Sequence, residues 1–388
     1  MHPLAPAPPA VDDPAAPRLV LRDGTVASVR RSTPADRDTM RRFFHELSPE
    51  SRRRRFFTAG EPADTLVDRL CDSADEQRSV TLVAVRQVGD DTRFIAVGSY
   101  IAGAPGVAEA AFAVDDRFQG KGLGTELLER LAAIAASHGF QRFDATTLGD
   151  NHAMLEVFRD SGFMVRSKTA AGVIEIALTL TPSAAGVVSA EARHRRATAA
   201  SLRPMLEPQA VAIVGASRDP ASLGRRILDA LVAADFGGSI YPVNAGASEV
   251  AGRRAYRSVR DVPPGVDLAV VAVPRDRVLG VVDDCAAAGV KSLVVITAGY
   301  AEAGDQGRAL QQELVERVRG YGMRMVGPNC MGLLNANPAN RLNASFSPIF
   351  PPPGHVGLSS QSGALGLAIQ IGRASCREKC RSRWSPYH

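Results

Sequence analysis

Residues 109–128 read EAAFAVDDRFQGKGLGTELL. The apolar run 109–114 predicts a strand, and the leucines from Leu123 onward recur at helical spacing. Between them lies the turn Gln-x-x-Gly-x-Gly, from Gln119 to Gly124. Glycines let backbone N–H groups approach a ligand closely, and a helix N-terminus adds unpaired donors and the positive end of a dipole. The stretch therefore predicts a diphosphate-binding turn, with an ordinary surface turn as the alternative.

A second motif follows 27 residues after Gly124, where Asn151 opens NHAMLEVFRDSGF, a predicted helix closed by Ser-Gly-Phe. In this order and spacing the two motifs resemble those of the GNAT N-acetyltransferase family, of the protein lysine acetyltransferase type, from near Leu21 to Leu180. The resemblance implies a mixed sheet with helices, and acetyl-CoA bound along a splayed strand. It assigns cofactor contacts to Val114, Gln119, Gly120, Lys121, Gly122, Leu123, Gly124, Thr125 and Asn151.

The same resemblance implies a catalytic base. Glu109 starts the strand before the turn, where protein lysine acetyltransferases of this family carry a glutamate. A base is needed because an ammonium is not nucleophilic, so the carboxylate would take a proton from the lysine amine, directly or through water. An exposed strand carboxylate is the alternative. Phe158 departs from the family, because many members have a tyrosine there that protonates the leaving thiolate, and the general acid stays unassigned.

The composition excludes several classes of protein. The chain has 388 residues, 45% hydrophobic and 22% charged, which is typical of a globular protein of two or three domains. Its net charge is +5, but residues 373–388 contribute +4, so no nucleic-acid-binding surface is indicated. The chain has no apolar run of roughly 18 residues and no signal-peptide pattern, which favours a cytoplasmic location outside the membrane. Five scattered cysteines predict no disulfide framework, and we recognise no metal-ligand motif.

Changes in composition divide the chain. Residues 1–18 are rich in Pro and Ala and predict a disordered lead-in, while residues 181–205 lack an apolar period and predict a linker. The block between them, 19–180, reads as mixed α/β. Its predicted strands are 79–86, 94–101, 109–114, 143–147 and 173–180, and its predicted helices are 34–47, 122–137 and 153–161.

The second block, 206–346, alternates apolar strands with helices, which predicts a parallel sheet buried on both faces. Its predicted strands are 210–214, 239–243, 268–273, 293–296 and 323–326, and its predicted helices are 222–234, 277–288 and 306–320. The opening strand, turn and helix are of the dinucleotide-fold type. An NAD site is disfavoured, because Gly215 and Gly224 are nine residues apart and the second strand ends in Asn244 rather than an acidic residue.

This block resembles instead the Rossmann-like CoA-binding domain of NDP-forming acyl-CoA synthetases, the succinyl-CoA synthetase α-subunit superfamily. The matching strings are VGAS (214–217), YPVN (241–244), AVP (272–274), ITAGY (296–300) and GPNCMG (327–332). The resemblance implies CoA contacts at Gly215, Ala216, Ser217, Asn244, Pro274, Thr297 and Asn329. It also puts Cys330 near the thiol end of CoA, with a small buried residue as the alternative.

Residues 347–371 resemble the start of the next, flavodoxin-like domain of these ligases. There a strand ends in Ser-x-Ser-Gly and the following helix N-terminus receives a phosphate, which makes Ser362, Gly363 and Ala364 a phosphate-site fragment. Residues 372–388 change charge and composition abruptly. We therefore interpret them as an aberrant tail, and the chain as truncated before the phosphorylated histidine and the ATP-grasp domain of a complete ligase.

These observations predict an acetyl-CoA-dependent N-acetyltransferase whose acceptor is a protein lysine, for example in an acyl-CoA synthetase. The alternatives are the α-portion of an ADP-forming acetate–CoA ligase, regulated by its N-terminal domain and working with an ATP-grasp partner, and a non-catalytic CoA or acetyl-CoA sensor. The string SPESRRRRFF, residues 48–57, is similar to acetyltransferase domains fused to acyl-CoA ligases. Its arginines form either a solvated face or a contact for an anionic substrate or partner.

Overall fold

The computed structural model describes residues 18–369 except residues 73, 74, 90 and 171. It divides into two compact units: the first extends to Ser201 and the second begins at Leu202, with Arg319–Gly322 grouped with the first. The predicted lead-in, apart from Arg18, and the predicted tail 372–388 lie outside the described residues. Within the described ranges, no helix combines the length and the apolar character that crossing a bilayer requires.

The first unit is built on an eight-stranded sheet in the order β1-β2-β3-β4-β5-β6-β8-β7. Its strands are β1 (Arg18–Val20), β2 (Val26–Arg31), β3 (Ser79–Val88), β4 (Asp91–Ala102), β5 (Val107–Val114), β6 (Arg142–Leu148), β7 (Phe163–Ala170) and β8 (Val173–Pro182). Only β5 and β6 pair in parallel among these neighbours. A helix therefore connects them, because parallel strands need a crossover.

Helices lie on both faces of this sheet. They are α1 (Arg37–Glu46), α2 (Pro49–Phe56), α3 (Asp64–Cys71), α4 (Leu123–Ser137) and α5 (His152–Asp160). The leucines of α4 are fully buried in a cluster that includes Leu82 of β3, whereas α1 and α3 pack in a separate cluster that includes Val83. Successive strand residues point to opposite faces, so α4 lies on one face and α1 with α3 on the other.

All five strands and all three helices predicted for this block are present, with ends shifted by a few residues. The sequence analysis missed β1, β2, β7, α2 and α3. Strand β7 is exposed along almost its whole length and therefore shows no apolar alternation. Helix α2 has no buried residue and four arginines, so it shows no helical apolar period either. Patterns of apolar residues reveal only those elements that bury one face.

Strands β5 and β6 separate part of the way along their length. Their parallel pairing runs from Val107–Arg142 to Glu109–Asp144 and ends there. Beyond Glu109, β5 continues to Val114 paired only with β4, while β6 continues to Leu148 paired only with β8. The separation leaves one edge of β5 open beyond Glu109.

Most of the range predicted as a linker is helical: α6 spans Ala184–Leu206. It packs closely on the first unit, since a Cβ on Gly186 would fall within 3.0 Å of the backbone of Gly162. Arg193 also forms an ion pair with Glu129 of α4, whose pKa burial raises to about 7. Small residues allow this close approach without an apolar period, which is why the sequence pattern did not predict the helix.

The second unit contains a five-stranded parallel sheet in the order β10-β9-β13-β14-β15. Its strands are β9 (Ala210–Val214), β10 (Ser239–Val243), β13 (Leu268–Val271), β14 (Ser292–Val295) and β15 (Arg324–Val326), and its helices are α7 (Leu223–Ala233), α8 (Arg275–Ala287) and α9 (Asp305–Gly320). All eight predicted elements are confirmed. Two short hairpins were not predicted: β11 (Glu249–Val250) with β12 (Arg253–Arg254), and β16 (Gly332–Asn335) with β17 (Leu342–Ser345).

The strand that the resemblance implies before Ser-x-Ser-Gly is absent from the described residues. Residues 351–362 contain no strand, and residues 354–362 are exposed. A strand is stable only when its backbone groups pair with a neighbour, and no described residue pairs with this segment. The helix expected after Ser-x-Ser-Gly is present over residues 363–369.

Candidate active site

A cavity of about 220 Å³ opens where β5 separates from β6. Its walls come from β5, the glycine-rich turn, the first turn of α4, and helices α2 and α5. Most of the site residues predicted for the first unit line it: Glu109, Val114, Gln119, Gly120, Gly122, Leu123, Gly124, Thr125 and Asn151. Lys121 does not, because its ammonium group pairs with Asp23 at 2.9 Å and lies 5.2 Å from the centre of the Phe118 ring.

The glycine-rich turn has the geometry that a diphosphate needs. Gly120 and Gly122 have φ of 74° and 91°, in the left-handed region, and Gly122 is the N-cap of α4. The N–H groups of the first helical turn have no partner within the helix. A Cβ on Gly120 would meet nothing within 4 Å, so space remains above the turn. These donors and this space fit the diphosphate of CoA.

The side chain of Gln119 holds the turn in place. Its Nε2 donates to Ser51 Oγ at 3.0 Å and to the Val114 carbonyl at 3.1 Å. Asp116 completes the connection, because it accepts hydrogen bonds from the Ser48 N–H and from the hydroxyls of Ser48 and Ser51. Burial alone would raise the pKa of Asp116. The hydrogen bonds from Ser48 and Ser51 have the larger opposite effect, so the pKa is lowered. The start of α2 is thereby anchored to the turn.

Sequence analysis missed this anchor, although the string Ser-Pro-Glu-Ser carries a signal for it. Ser48 caps α2 by accepting from the Ser51 N–H at 3.1 Å, and Pro49 occupies the first helical position. Both are helix-start residues. Arg22 was also missed. It lines the cavity beside Gly122 and pairs with Asp160 of α5 at 2.9 Å.

The open edge of β5 presents backbone groups to the cavity. The Asp115 N–H donates to the Ile95 carbonyl at 3.0 Å, so Ala96 and Val114 form a non-hydrogen-bonded pair of the ladder. The N–H and C=O of Val114 therefore point away from β4, toward the separation from β6. The carbonyl is used by Gln119, which leaves the N–H to face the cavity.

Asn151 begins α5 as a buried N-cap. Its Oδ1 accepts from the Met154 N–H at 3.3 Å, and its Nδ2 donates to Thr147 Oγ1 at 3.0 Å. One side chain thus fixes α5 to the end of β6. Asn151 also lines the cavity, so it both shapes the wall and holds the helix in place.

Replacing Asn151 by alanine is expected to lower the free energy of unfolding of the first unit by about 1–2 kcal/mol, because a cap and a buried hydrogen bond are lost together. Urea unfolding followed by circular dichroism measures this loss. Asn151→Asp is the matched control: it keeps the cap to Met154 and loses only the donor to Thr147, so a smaller loss is expected. Alanine and wild-type proteins of equal stability would contradict the role of the cap.

The other end of the cavity holds the predicted base. Glu109 is exposed and is the last β5 residue paired with β6. Phe158 is buried in the wall of the same cavity, so the position where many relatives carry a tyrosine offers no proton here. The structure therefore brings Glu109, the glycine-rich turn and Asn151 together around one cavity, and it leaves the general acid unassigned.

The residues predicted to contact CoA in the second unit meet at the carboxyl ends of its strands. The chain adds β10 on one side of β9 and β13 on the other, and open α/β sheets bind ligands where the strand order reverses in this way. Gly215, with φ of 95°, follows β9, and a Cβ there would lie well inside 3.0 Å of the Ala272 carbonyl oxygen. Only glycine fits this crossing point. Ser217 accepts from the Asp219 N–H at 3.1 Å, which shapes the next turn.

Hydrogen bonds connect several of these predicted residues to the backbone of neighbouring strand ends. Asn244 donates to the Ala216 carbonyl at 2.6 Å, and Thr297 donates to the Val273 carbonyl, next to Pro274, at 2.8 Å. The Asn329 N–H donates to the Thr297 carbonyl at 2.9 Å. Asn244 and Thr297 therefore hold the strand ends in place. Cys330 donates to the Val295 carbonyl at 3.3 Å and burial raises its pKa, which favours the interpretation as a small buried residue.

The phosphate-site fragment begins the helix at residues 363–369. Ser362 accepts from the Leu365 N–H at 3.3 Å and so caps this helix, while Gly363 and Ala364 are exposed in its first turn. The role of the fragment in phosphate binding stays a prediction.

Both units match known families. Residues 41–163 match the acetyltransferase (GNAT) family, and residues 209–336 match a CoA binding domain. An acetyltransferase of Pseudomonas aeruginosa is 31% identical over 146 residues, which cover 37% of this chain and 78% of that protein. The alpha subunit of acetate–CoA ligase [ADP-forming] II of Pyrococcus furiosus is 45% identical over 162 residues, 42% of this chain and 35% of that subunit. The chain thus spans about a third of that subunit's length.

Among solved structures, the GNAT domain of S. lividans PAT is 34% identical, with a TM-score of 0.38; the match covers 42% of this chain and 96% of that domain. The acetyl-coenzyme A synthetase 1 of Ca. Korarchaeum cryptofilum is 49% identical, with a TM-score of 0.42; that match covers 44% of this chain and 36% of the synthetase chain. The two matched domains imply binding of acetyl-CoA and CoA.

Proposed function

The chain belongs to the GNAT acetyltransferase family over residues 41–163 and carries a CoA binding domain over residues 209–336, and we propose that it transfers an acetyl group from acetyl-CoA to an amine. The observation that carries this proposal is the arrangement around one cavity. At one end lie the unpaired N–H groups of the glycine-rich turn, and at the other lies the exposed carboxylate of Glu109.

Each part of the cavity has a task in this proposal. The turn from Gln119 to Thr125 binds the diphosphate, and the Val114 N–H on the open edge of β5 orients the chain that leads to the thioester. Bound acetyl-CoA supplies an acyl group on a thiol, whose anion leaves readily near its own pKa. Glu109 accepts the proton that the attacking amine must lose. The new C–N bond replaces the C–S bond, and CoA leaves as the second product.

We propose a protein lysine as the acceptor. This part rests on the resemblance to lysine acetyltransferases and on the fusion to a ligase-type CoA domain, which suggests an acyl-CoA synthetase as a target. Phe57 supports an acceptor with a long aliphatic arm, because its ring lines the cavity and is 49% exposed. An aromatic face of this kind can pack against the methylene groups of a lysine side chain.

The direct test measures thiol release from acetyl-CoA in the presence of a lysine peptide, with mass spectrometry of the peptide. The expected result is CoA release together with one added acetyl group. Peptide in which the lysine amine is already acetylated serves as the control and should give no release. Tight binding of acetyl-CoA without release or acetylation would contradict the transferase and favour the sensor.

A second candidate function is the α-portion of an ADP-forming acyl-CoA ligase. The 45% identity to an acetate–CoA ligase alpha subunit favours it, together with the match of residues 209–336 to a CoA binding domain. We propose that this activity requires an ATP-grasp partner. Mixing the chain with such a subunit, ATP, acetate and CoA tests it: acetyl-CoA formation would support a ligase role, and its absence would leave the transferase as the activity of this chain.

A further inference from the structure

The arginine run of α2, residues 52–55, is not uniformly solvated. Arg52 lies 3.9 Å from Glu61, and Arg53 contacts Glu50 at 3.1 Å and Asp150 at 2.5 Å. Three of the four arginines have a carboxylate partner: Arg52, Arg53 and Arg54. The guanidinium of Arg55, the fourth, forms no hydrogen bond and no ion pair with any described residue. Its guanidinium lies 5.0 Å from the centre of the Phe56 ring.

Arg55 also differs from its neighbours in where it lies. It lines the cavity, on the same helix as Ser51, one turn further from the glycine-rich turn. Its side chain is partly buried, and burial lowers its pKa to about 10, while the charge of Glu109 acts in the opposite direction. The guanidinium thus stands at the Glu109 end of the cavity, within electrostatic range of the base but not paired with it.

An unpaired cation in a partly desolvated wall is costly unless an anion is bound beside it. The other cations of the cavity wall already have partners, since Arg22 pairs with Asp160 and Arg54 pairs with Glu50. A diphosphate bound at the glycine-rich turn would lie at the opposite end of the cavity, too far away to neutralise Arg55. The remaining candidate is a negative group brought by the acceptor.

We propose that Arg55 binds a carboxylate that the acceptor carries close to its reactive amine. The proposal rests on the proposed transferase function and names the acceptor class within it. Glu109 takes the amine proton and Arg55 pairs with the carboxylate, so the two side chains orient an acceptor that has both groups. Guanidinium and carboxylate form bidentate hydrogen bonds, which makes this recognition directional. Phe57, two residues after Arg55, offers its ring to the methylene groups between amine and carboxylate.

Two sources can supply this carboxylate: an acidic side chain beside a lysine in a protein, or the carboxylate of a small amino acid. The test therefore has two pairs of acceptors. The first pair consists of lysine peptides with Asp or Asn next to the lysine, and the second consists of Nα-acetyl-lysine and its carboxamide. The two members of each pair differ only in having a carboxylate or a carboxamide. The ratio of their kcat/KM values therefore measures how strongly the enzyme recognises the carboxylate.

For the wild-type protein we expect kcat/KM to favour the carboxylate member of one pair by about 10- to 100-fold, the range of a charged hydrogen bond. Preference within the peptide pair identifies a protein acceptor, and preference within the lysine pair identifies a small one. In Arg55→Gln the ratio should fall to about one, and Arg55→Lys should restore part of it. Arg53→Gln is the matched control: Arg53 is outside the cavity lining, so its loss should leave the ratio unchanged.

The results of this experiment distinguish failure of the Arg55 proposal from failure of the proposed transferase function. A wild-type protein that acetylates both members of both pairs equally would overturn the role of Arg55 and leave the transferase intact. A ratio that survives in Arg55→Gln would overturn it as well. Failure to acetylate any of the four acceptors would instead reject the proposed transferase function, and the assignment of Arg55 with it.

Discussion

Glu109→Gln is expected to lower the rate of amine acetylation by at least about 100-fold at neutral pH, the usual contribution of a general base. The amide cannot take the proton that the acceptor amine must lose. Binding of acetyl-CoA should be unchanged, because the glycine-rich turn, which we propose as the diphosphate site, lies at the other end of the cavity. Steady-state thiol release measures the rate, and calorimetric titration with acetyl-CoA measures binding.

The pH dependence gives this prediction a second readout. A lysine amine has a pKa of about 10.4. Below that value, each increase of one pH unit raises the unprotonated fraction of the amine about tenfold. The deficit of Glu109→Gln should therefore shrink as pH rises. Asp144→Asn is the matched control, because Asp144 faces Glu109 in the ladder but is held by Arg142 and does not line the cavity. A Glu109→Gln protein with near-normal activity at neutral pH would rule out this carboxylate as the base.

The largest effect on stability is expected for Gly215→Ala, in the second unit. The new methyl group would overlap the Ala272 carbonyl oxygen, and φ of 95° is strained for any residue with a Cβ. Overpacking and backbone strain together should cost about 3 kcal/mol or more. That is a large part of the stability of a typical domain. Urea unfolding of the second unit measures the cost, and weakened CoA binding should accompany it.

Alanine substitutions at two other glycines of the second unit distinguish the cost of steric overlap from the cost of backbone strain. Gly252 has φ of 71°, and an added methyl group there would meet no atom within 4 Å, so Gly252→Ala tests backbone strain alone and should cost about 1 kcal/mol. Gly280 is exposed within α8 with equally free space, so Gly280→Ala should stabilise by about 0.5–1 kcal/mol. If Gly215→Ala costs no more than Gly252→Ala, the close approach to Ala272 is not what requires glycine.

Much of the fold was predictable because its elements bury apolar residues in regular patterns. The predicted strands 210–214 and 239–243 agree with β9 and β10 to the residue. Strand β9 is buried along its whole length and therefore appears in the sequence as a short, continuous apolar run. Elements without a buried stripe left no such signal. Helix α6 was interpreted as a linker, and α2 was not predicted, because close packing of small residues and ion pairs between distant residues have no period.

The candidate site divides in the same way. The residues of the glycine-rich turn, Asn151 and Glu109 were identified from motifs that are local in sequence and belong to a resemblance. The structure adds how they are held. Ser51 is 65 residues from Asp116 along the chain, and only their contact reveals that α2 is anchored beside the turn. The structure also shows that the Lys121 side chain pairs with Asp23, so only the backbone of this residue is left for the predicted cofactor contact.

The sequence by itself determined the two sheet-and-helix units and the glycine-rich turn, because local apolar spacing and local glycines specify such features. The resemblance to a family, also carried by the sequence, named Glu109 as the base candidate. Tertiary structure alone decided where β5 leaves β6, and hence where the cavity opens. It also decided which of four consecutive arginines stays unpaired, since that depends on carboxylates such as Asp150, far away in the chain. The role of each arginine depends on which carboxylates lie beside it, and the fold determines those neighbours.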